Sequence, residues 1–179
     1  MAGSTIFQLL PSLEGINDGS ALMMEYDLTD CFVPSVADYL YDECNREDAF
    51  DWLVNHLSYR DTGYGAGSDK YLSSFYSNKK IHDEDGLPEA FIVFHKGFKS
   101  FYFKRTYEAF KNNAEAMTLE KFMDGMTMFG FTNIIEDRYS FYIFDECRSY
   151  GTLDNWIRDY IKDDKESKYY LGTVFGYHH

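Results

Sequence analysis

The sequence predicts an α+β fold, in which an antiparallel sheet of about four to five strands has amphipathic helices packed on one face. Two observations carry this prediction: several segments place apolar residues at helical spacing, and other short segments are rich in β-forming residues. The chain has 179 residues, 45% of them hydrophobic, and contains no internal repeat or proline-rich linker. We therefore expect a single domain over residues 1–179 with an acidic, helical N-terminal third.

The N-terminal third is predicted to be mainly helical. A short apolar segment at residues 6–10 is followed by a loop and by residues 21–26, which are short enough for a strand. Pro34 suits the first turn of a helix over residues 34–43, because its missing N–H group needs no partner there. Asn45 is expected to cap the next helix. The apolar residues of that helix follow the spacing i, i+3, i+4, i+7: Phe50, Leu53, Val54 and Leu57.

The middle of the chain combines a glycine-rich segment with β-forming residues. Residues 61–80 are predicted to be a flexible loop between the acidic helical part and an α+β remainder. Residues 90–95 and 99–104 are rich in β-forming side chains and are separated by a short turn that contains Gly97. This pattern predicts a β-hairpin.

Five elements are predicted in the C-terminal part. Thr106 and Thr118 are expected to cap two helices. Residues 138–144 carry aromatic side chains on both faces of a predicted strand, which favours an interior position in the sheet. Thr152 is expected to cap a helix over residues 153–161, and residues 169–175 are expected to form the last strand.

The composition is strongly acidic and rich in tyrosine. Thirty Asp and Glu against 17 Lys and Arg give a net charge of −13. This charge repels phosphate backbones and acidic membranes, so we expect neither direct nucleic-acid binding nor membrane binding, and we expect basic partners instead. Residues 1–60 hold 11 of the acids and only two bases, which places the expected partner surface in the first third. The 16 tyrosines support this view, because tyrosine is common at recognition surfaces.

Five carboxylates form the candidate binding site. Asp38 and Asp42 would lie one turn apart on the predicted helix over residues 34–43, and Glu47, Asp48 and Asp51 on the polar side of the next helix. Carboxylates one turn apart are about 5–6 Å from each other, a spacing of the same order as that of phosphates along a nucleic-acid strand. A row of them can occupy a basic groove that is built for DNA or RNA.

The sequence therefore predicts a non-enzymatic binding protein that inhibits a positively charged, nucleic-acid-handling protein. Inhibitors of host defence from mobile elements, such as anti-restriction and anti-CRISPR proteins, share this size, acidity and lack of catalytic motifs. An immunity protein that covers a basic toxin active site belongs to the same physical class. The three cysteines form no CxxC pair and the first fifteen residues lack a signal sequence, so a reduced, cytoplasmic location is expected.

An enzyme is the alternative. Asp145 and Glu166 could bind Mg²⁺ in a small metal-dependent hydrolase or nuclease, with Lys168 orienting the attacking water. A thiol-dependent hydrolase would use Cys44 or Cys147 with His56 or His95. For the binding protein no cofactor and no metal is expected, because residues 63–70 lack the order of a phosphate-binding loop and residues 82–86 lack the end ligands of a calcium loop.

Overall fold

The computed structural model describes residues 4–33, 35–41, 45–58, 68–80, 86–124, 141–145 and 149–178. Within these residues, seven strands form one open sheet, and six α-helices accompany it. The mixed α and β class is confirmed. The predicted number of four to five strands is too low, because four of the observed strands were not recognised from their local sequence.

All seven strands belong to the same sheet. In chain order they are β1 (Ser4–Leu10), β2 (Tyr39–Tyr41), β3 (Leu72–Lys80), β4 (Pro88–Phe94), β5 (Tyr142–Phe144), β6 (Tyr150–Thr152) and β7 (Ser167–His178). The order across the sheet is β3-β4-β7-β1-β5-β6, and β2 also pairs with β7. The pairing of β1 with β5 is parallel and the others are antiparallel, so the sheet is mixed and not wholly antiparallel as predicted.

The described helices are α1 (Glu14–Asn17), α2 (Glu25–Thr29), α3 (Arg46–Ser58), α4 (Phe98–Glu115), α5 (Leu119–Asp124) and α6 (Leu153–Tyr160). Three predicted helix caps are confirmed. The side chains of Asn45, Thr118 and Thr152 accept hydrogen bonds from amides in the first turns of α3, α5 and α6, at 3.0, 3.2 and 3.4 Å. These caps satisfy backbone donors that the helices cannot bond internally.

Buried side chains lie on both faces of the sheet, because successive residues of a strand point to opposite sides. On what we call the first face, Phe7 and Phe94 pack with α3, α4 and α6. On the second face, Ile6 and Phe175 pack with Met23, Phe32 and Ala37 and with Leu28 of α2. Helices therefore cover both faces, and not one as predicted. The cluster of buried residues on the second face contains no described residue of β3 or β4.

A buried amide side chain joins β1 to its surroundings at a bulge in the β1–β7 pairing. The Gln8 Nε2 donates to a backbone carbonyl at 2.6 Å, and its Oε1 accepts hydrogen bonds from the amides of Met23 at 2.9 Å and Thr173 at 3.3 Å. A Cβ atom added to Gly172 would lie 2.3 Å from this oxygen. Glycine at this position therefore leaves the space that the Gln8 side chain occupies.

Two predictions for the N-terminal third are wrong. Residues 21–26 form no strand, because α2 begins at Glu25 and the Gln8 side chain bonds to the backbone of residues 21 and 23. The helix predicted over residues 34–43 is also wrong, since residues 39–41 form β2 beside the end of β7. Pairing with a distant strand overrides a local helical pattern, which contains no information about the partner.

Two further predictions for the middle of the chain need correction. The loop predicted over residues 61–80 is wrong for its last part, where β3 begins at Leu72, while residues 61–67 lie outside the described residues. In the predicted hairpin, β4 is confirmed, but residues 99–104 belong to α4, which begins at Phe98 and not at Thr106. Phe98, Tyr102 and Arg105 are buried at helical spacing.

The predicted C-terminal strands are confirmed. Strand β5 covers residues 142–144 and lies between β1 and β6, in the interior position that its aromatic residues indicated. Residues 138–140 lie outside the described residues. Strand β7 includes the predicted residues 169–175 and extends beyond them at both ends. This longer strand is the shared partner of β1, β2 and β4.

Candidate functional site

The exposed side of α3 carries three of the five predicted site residues. The apolar side of this helix is buried as its periodicity predicts, with Phe50, Leu53, Val54 and Leu57 in the core. Glu47, Asp48 and Asp51 are exposed on the other side, next to Trp52, which is 56% exposed. Residues four apart on a helix are neighbours, so Asp48 lies beside Trp52 and Glu47 beside Asp51. We call these four residues the α3 acidic face.

The first residue of α3 fixes this helix to the sheet. The Arg46 guanidinium donates hydrogen bonds to the carbonyls of Pro88 at 2.9 Å, Leu171 at 2.6 Å and Gly172 at 3.3 Å. Burial lowers the pKa of Arg46 from its usual value, although arginine remains charged in proteins. Because three donors of one rigid group bind β4 and β7 at once, the α3 acidic face is held in a fixed position relative to the sheet.

Among the residues that the structure describes, no cationic side chain neutralises the carboxylates of the α3 acidic face. Within the described part of the chain, no Lys, Arg or His side chain lies within 4.0 Å of Glu47, Asp48 or Asp51. Glu47 and Asp48 lie in the first helical turn, where the helix dipole favours negative charge. The dipole thus reduces the electrostatic free-energy cost of placing these like charges together. The negative electric field of the carboxylates extends into the solvent.

Asp38 lies apart from this face. It precedes β2, its amide donates to the His178 carbonyl at 2.7 Å, and its Oδ2 lies 3.5 Å from the His178 Nδ1. The helix that would place Asp38 one turn from Asp42 does not form, and Asp42 lies outside the described residues. Across the described ranges, no hydrogen bond or ion pair joins Asp38 to the α3 acidic face.

Asp145, a metal ligand in the enzyme alternative, is buried and bonded within the protein. Its Oδ1 accepts a hydrogen bond from the Ser149 amide at 3.1 Å, and its Oδ2 accepts from the Ser149 hydroxyl at 2.8 Å and the Tyr160 hydroxyl at 2.9 Å. These bonds join Asp145, which follows β5, to Ser149 before β6 and to Tyr160 of α6. The contacts favour a structural role for this carboxylate.

The other two residues of the enzyme alternative lie near the start of β7. The Glu166 Oε2 is 2.8 Å from the His95 Nδ1, and the His95 Nε2 is 3.0 Å from the Ser73 Oγ. The Lys168 ammonium lies 3.7 Å from the centre of the Phe91 ring. In the ranges that the structure describes, no three His, Cys, Asp or Glu side chains are placed to hold a metal ion together. Glu166 is therefore paired with His95, which in turn contacts Ser73.

The thiol alternative gains no support from the described residues. Cys44 and Cys147 both lie outside them. The His56 Nε2 is 3.3 Å from the Tyr102 hydroxyl, and its ring packs edge-on against Phe141 at 5.0 Å between ring centres. These contacts place His56 beside the core of the first face.

Two residues of the candidate sites, Trp52 and Ser73, were not predicted from the sequence. Trp52 falls on the polar side of α3, and a helical projection of residues 46–58 would have shown it beside the acids. No sequence pattern marks Ser73, because only the pairing of β3 with β4 brings it to His95. The sequence predicted a loop where β3 lies.

Comparisons with protein-family models, curated proteins and solved structures found no match to this chain. Similarity therefore assigns it neither a family nor a function. None of the helices in the described ranges is long and apolar enough to cross a membrane.

Proposed function

We propose that this protein binds and inhibits a positively charged, nucleic-acid-handling protein through the α3 acidic face. One observation carries the proposal: an exposed tryptophan stands beside three carboxylates that have no cationic partner among the described residues. Tryptophan is enriched among the residues that contribute most to protein interfaces. An exposed tryptophan inside a charged surface is therefore a favourable anchor for a partner of opposite charge.

The spacing of the carboxylates supports a basic groove as the partner surface. Glu47 and Asp51 are one helical turn apart, about 5–6 Å between their Cβ atoms, which is of the order of the spacing of neighbouring phosphates. Lysine and arginine side chains that contact phosphates can contact these carboxylates in the same way. Trp52 supplies a flat ring beside them, where a nucleic acid would supply a base.

The fixed position of α3 also supports the proposal. Binding costs less entropy when the binding groups already have their final arrangement. The three carbonyl contacts of Arg46 and the buried side of α3 provide that arrangement before a partner arrives. This mode of binding needs no catalysis. Anti-restriction and anti-CRISPR inhibitors and toxin-neutralising immunity proteins are the classes whose targets present such basic surfaces.

The proposal is tested by removing the charges without changing the shape of the side chains. The variant Glu47→Gln, Asp48→Asn, Asp51→Asn and the unchanged chain are immobilised and exposed to nuclease-treated lysate at about 50 mM and about 200 mM salt. We expect the unchanged chain to retain a basic nucleic-acid-binding protein at low salt only, and the variant to lose it. The purified partner should then bind DNA or RNA less well when the unchanged chain is added.

A matched control separates the effect of the α3 acidic face from the effect of net charge. The variant Glu108→Gln, Glu120→Gln, Asp164→Asn removes three charges from exposed positions elsewhere, and we expect it to retain the partner. Equal loss in both triple variants, or a partner whose retention does not depend on salt, would contradict the proposal. Trp52→Ala should weaken retention at low salt without changing its salt dependence, because it removes apolar contact and no charge.

A further inference from the structure

One part of the second face is left uncovered by the described residues. It lies over β3, β4 and the start of β7, beyond the cluster that packs against α2. Its exposed or partly exposed side chains are Ser73, Phe75, Phe91, His95 and Lys168. We call these residues the β3–β4 face. It combines a hydroxyl, an imidazole and aromatic rings on one surface of three paired strands.

Ser73, His95 and Glu166 form a continuous chain of hydrogen bonds. The His95 Nδ1 is 2.8 Å from the Glu166 Oε2, and the His95 Nε2 is 3.0 Å from the Ser73 Oγ. A carboxylate only accepts hydrogen bonds, so Nδ1 carries the proton and Nε2 is left to accept from the serine hydroxyl. This is the order of nucleophile, base and positioning carboxylate that activates serine in hydrolases.

The backbone holds this arrangement in place. The His95 amide donates to the Tyr71 carbonyl at 2.8 Å, and the His95 carbonyl accepts from the Phe98 amide at 3.1 Å. Ser73 lies on β3 directly opposite Val93, two residues before His95. Since sheet register fixes the serine and two hydrogen bonds fix the histidine, the geometry needs little reorganisation before reaction.

We propose that Ser73, His95 and Glu166 form a serine-hydrolase site for carboxylic esters that carry an aromatic or other flat apolar group. We choose this substrate class because aromatic rings lie beside Ser73. Phe75, 46% exposed, stacks on Phe91 at 5.4 Å between ring centres, and Phe91 meets Tyr170 edge-on at 5.9 Å. Because Phe75 and the Lys168 ammonium already cover Phe91, a flat apolar group would bind on the exposed Phe75 ring with its ester carbonyl over Ser73.

The proposed reaction uses water and no other reagent. The Ser73 Oγ forms a bond to the ester carbonyl carbon while its proton passes to the His95 Nε2, and the carbonyl oxygen becomes negative. The bond from carbon to the leaving oxygen then breaks, and the alcohol takes the proton from the His95 Nε2. Water then forms a bond to the acyl carbon while its proton passes to the His95 Nε2. The bond from that carbon to the Ser73 Oγ breaks, the proton passes from the His95 Nε2 to the Ser73 Oγ, and a carboxylic acid is released.

A backbone donor for the negative oxygen lies next to the nucleophile. In an antiparallel pair, successive residues alternate between amides that bond to the partner strand and amides that point away from it. The bond from the His95 amide to the Tyr71 carbonyl sets this alternation, so Ser73 bonds to β4 and the Ser74 amide points away from it. Strand β3 is the outermost strand on this side among the described strands, so that amide points to the sheet edge, where an oxyanion could accept its hydrogen bond.

The β3–β4 face and the α3 acidic face lie on opposite sides of the sheet, because α3 packs on the first face. The two proposals are therefore independent, and failure of one leaves the other unaffected.

The test uses the full chain with two defined probes, a fluorophosphonate that labels activated serines and 4-nitrophenyl acetate as ester. We expect the fluorophosphonate to label Ser73, identified by peptide mass spectrometry. Hydrolysis of the ester should fall by about 100-fold or more in Ser73→Ala and in His95→Gln. Ser77→Ala, at another serine of β3, should keep both labelling and hydrolysis, because the Ser77 hydroxyl accepts a hydrogen bond from the Lys79 amide at 3.1 Å and lies outside the proposed site.

Glu166 acts through His95 and is a positioning residue. Glu166→Gln should lower hydrolysis, and Glu166→Asp should restore part of it, which a role in strand packing alone would not produce. Thermal melting of each variant verifies that it folds. Absence of label on Ser73, or hydrolysis in folded Ser73→Ala equal to that of the unchanged chain, would overturn the proposal.

Discussion

Asp163 caps helix α4 at Ser100 from a distance of 63 residues along the chain. Its Oδ1 accepts a hydrogen bond from the Ser100 amide at 3.1 Å, its Oδ2 accepts from the Ser100 hydroxyl, and its backbone carbonyl accepts from the Gly97 amide at 3.0 Å. Gly97 has a φ of +82°, which lets the chain turn sharply from β4 into the helix. The start of α4 therefore depends on a residue that follows α6.

The first prediction concerns this distant cap. Asp163→Ala should lower the free energy of unfolding by about 1 kcal/mol, because an amide of the first helical turn loses its acceptor. Urea unfolding followed by circular dichroism measures the change. Asp164→Ala is the matched control, since Asp164 is an exposed neighbour that makes no capping hydrogen bond to a described residue, and it should stay within about 0.5 kcal/mol of the unchanged chain. Equal effects of the two substitutions would show that the cap contributes nothing.

The second prediction concerns the space at Gly172. Gly172→Ala should destabilise the protein by about 1–3 kcal/mol, because the new methyl group displaces the Gln8 side chain from its three hydrogen-bond partners. Gly151→Ala is the control, since a Cβ at that strand position meets no atom of the described residues within 4 Å. Thermal melting and urea unfolding of both variants give the comparison. If Gly172→Ala is as stable as Gly151→Ala, the buried amide does not constrain this position.

The third prediction concerns alkaline pH. Burial raises the pKa of the Tyr177 phenol to about 12, and its usual value is 10.0. Between these values the unfolded chain releases the proton and the folded chain keeps it, so the free energy of unfolding should fall as pH rises, by up to about 1.4 kcal/mol per unit. The stabilisation is complete below pH 10 and is lost towards pH 12.

Urea unfolding at intervals from pH 9 to pH 12 measures this slope. In Tyr177→Phe the phenol is absent, so the slope should be smaller than in the unchanged chain. Tyr26→Phe, at a tyrosine that is 67% exposed, serves as the control and should keep the full slope. A slope that is the same in all three proteins would contradict a raised pKa at Tyr177.

The local sequence predicted the elements that are determined by residues within a single segment. Helix α3 follows from its apolar periodicity and from Asn45, and the exposed acids Glu47, Asp48 and Asp51 follow from the same projection. The helix expected around Asp38 failed because β2 forms on the end of β7, more than 130 residues later. The strand expected at residues 99–104 is helical instead, and the first turn of α4 is bonded to a distant residue that the local pattern does not contain, since the Ser100 amide donates to Asp163.

Sequence patterns also could not predict the hydrogen bonds that join Ser73, His95 and Glu166. Ser73, His95 and Glu166 come from three segments, and only the register of β3 with β4 and of β4 with β7 brings them together. The sequence predicts other chemistry for Glu166 and for His95, and their spacing of 71 residues gives no reason to pair them. Register depends on turns and buried neighbours along all three strands, so no single segment encodes it.

The position of β7 between β4 and β1 has a consequence for how the chain folds. All seven residues of β1 are buried in the finished sheet, yet Gln8 meets its β7 contact Thr173 only after 165 further residues. During synthesis this apolar segment leaves the ribosome long before the strand that covers one of its edges. Contacts of such long sequence separation slow folding and leave apolar segments open to aggregation in the meantime. We therefore expect the nascent chain to depend on chaperones until β7 is complete.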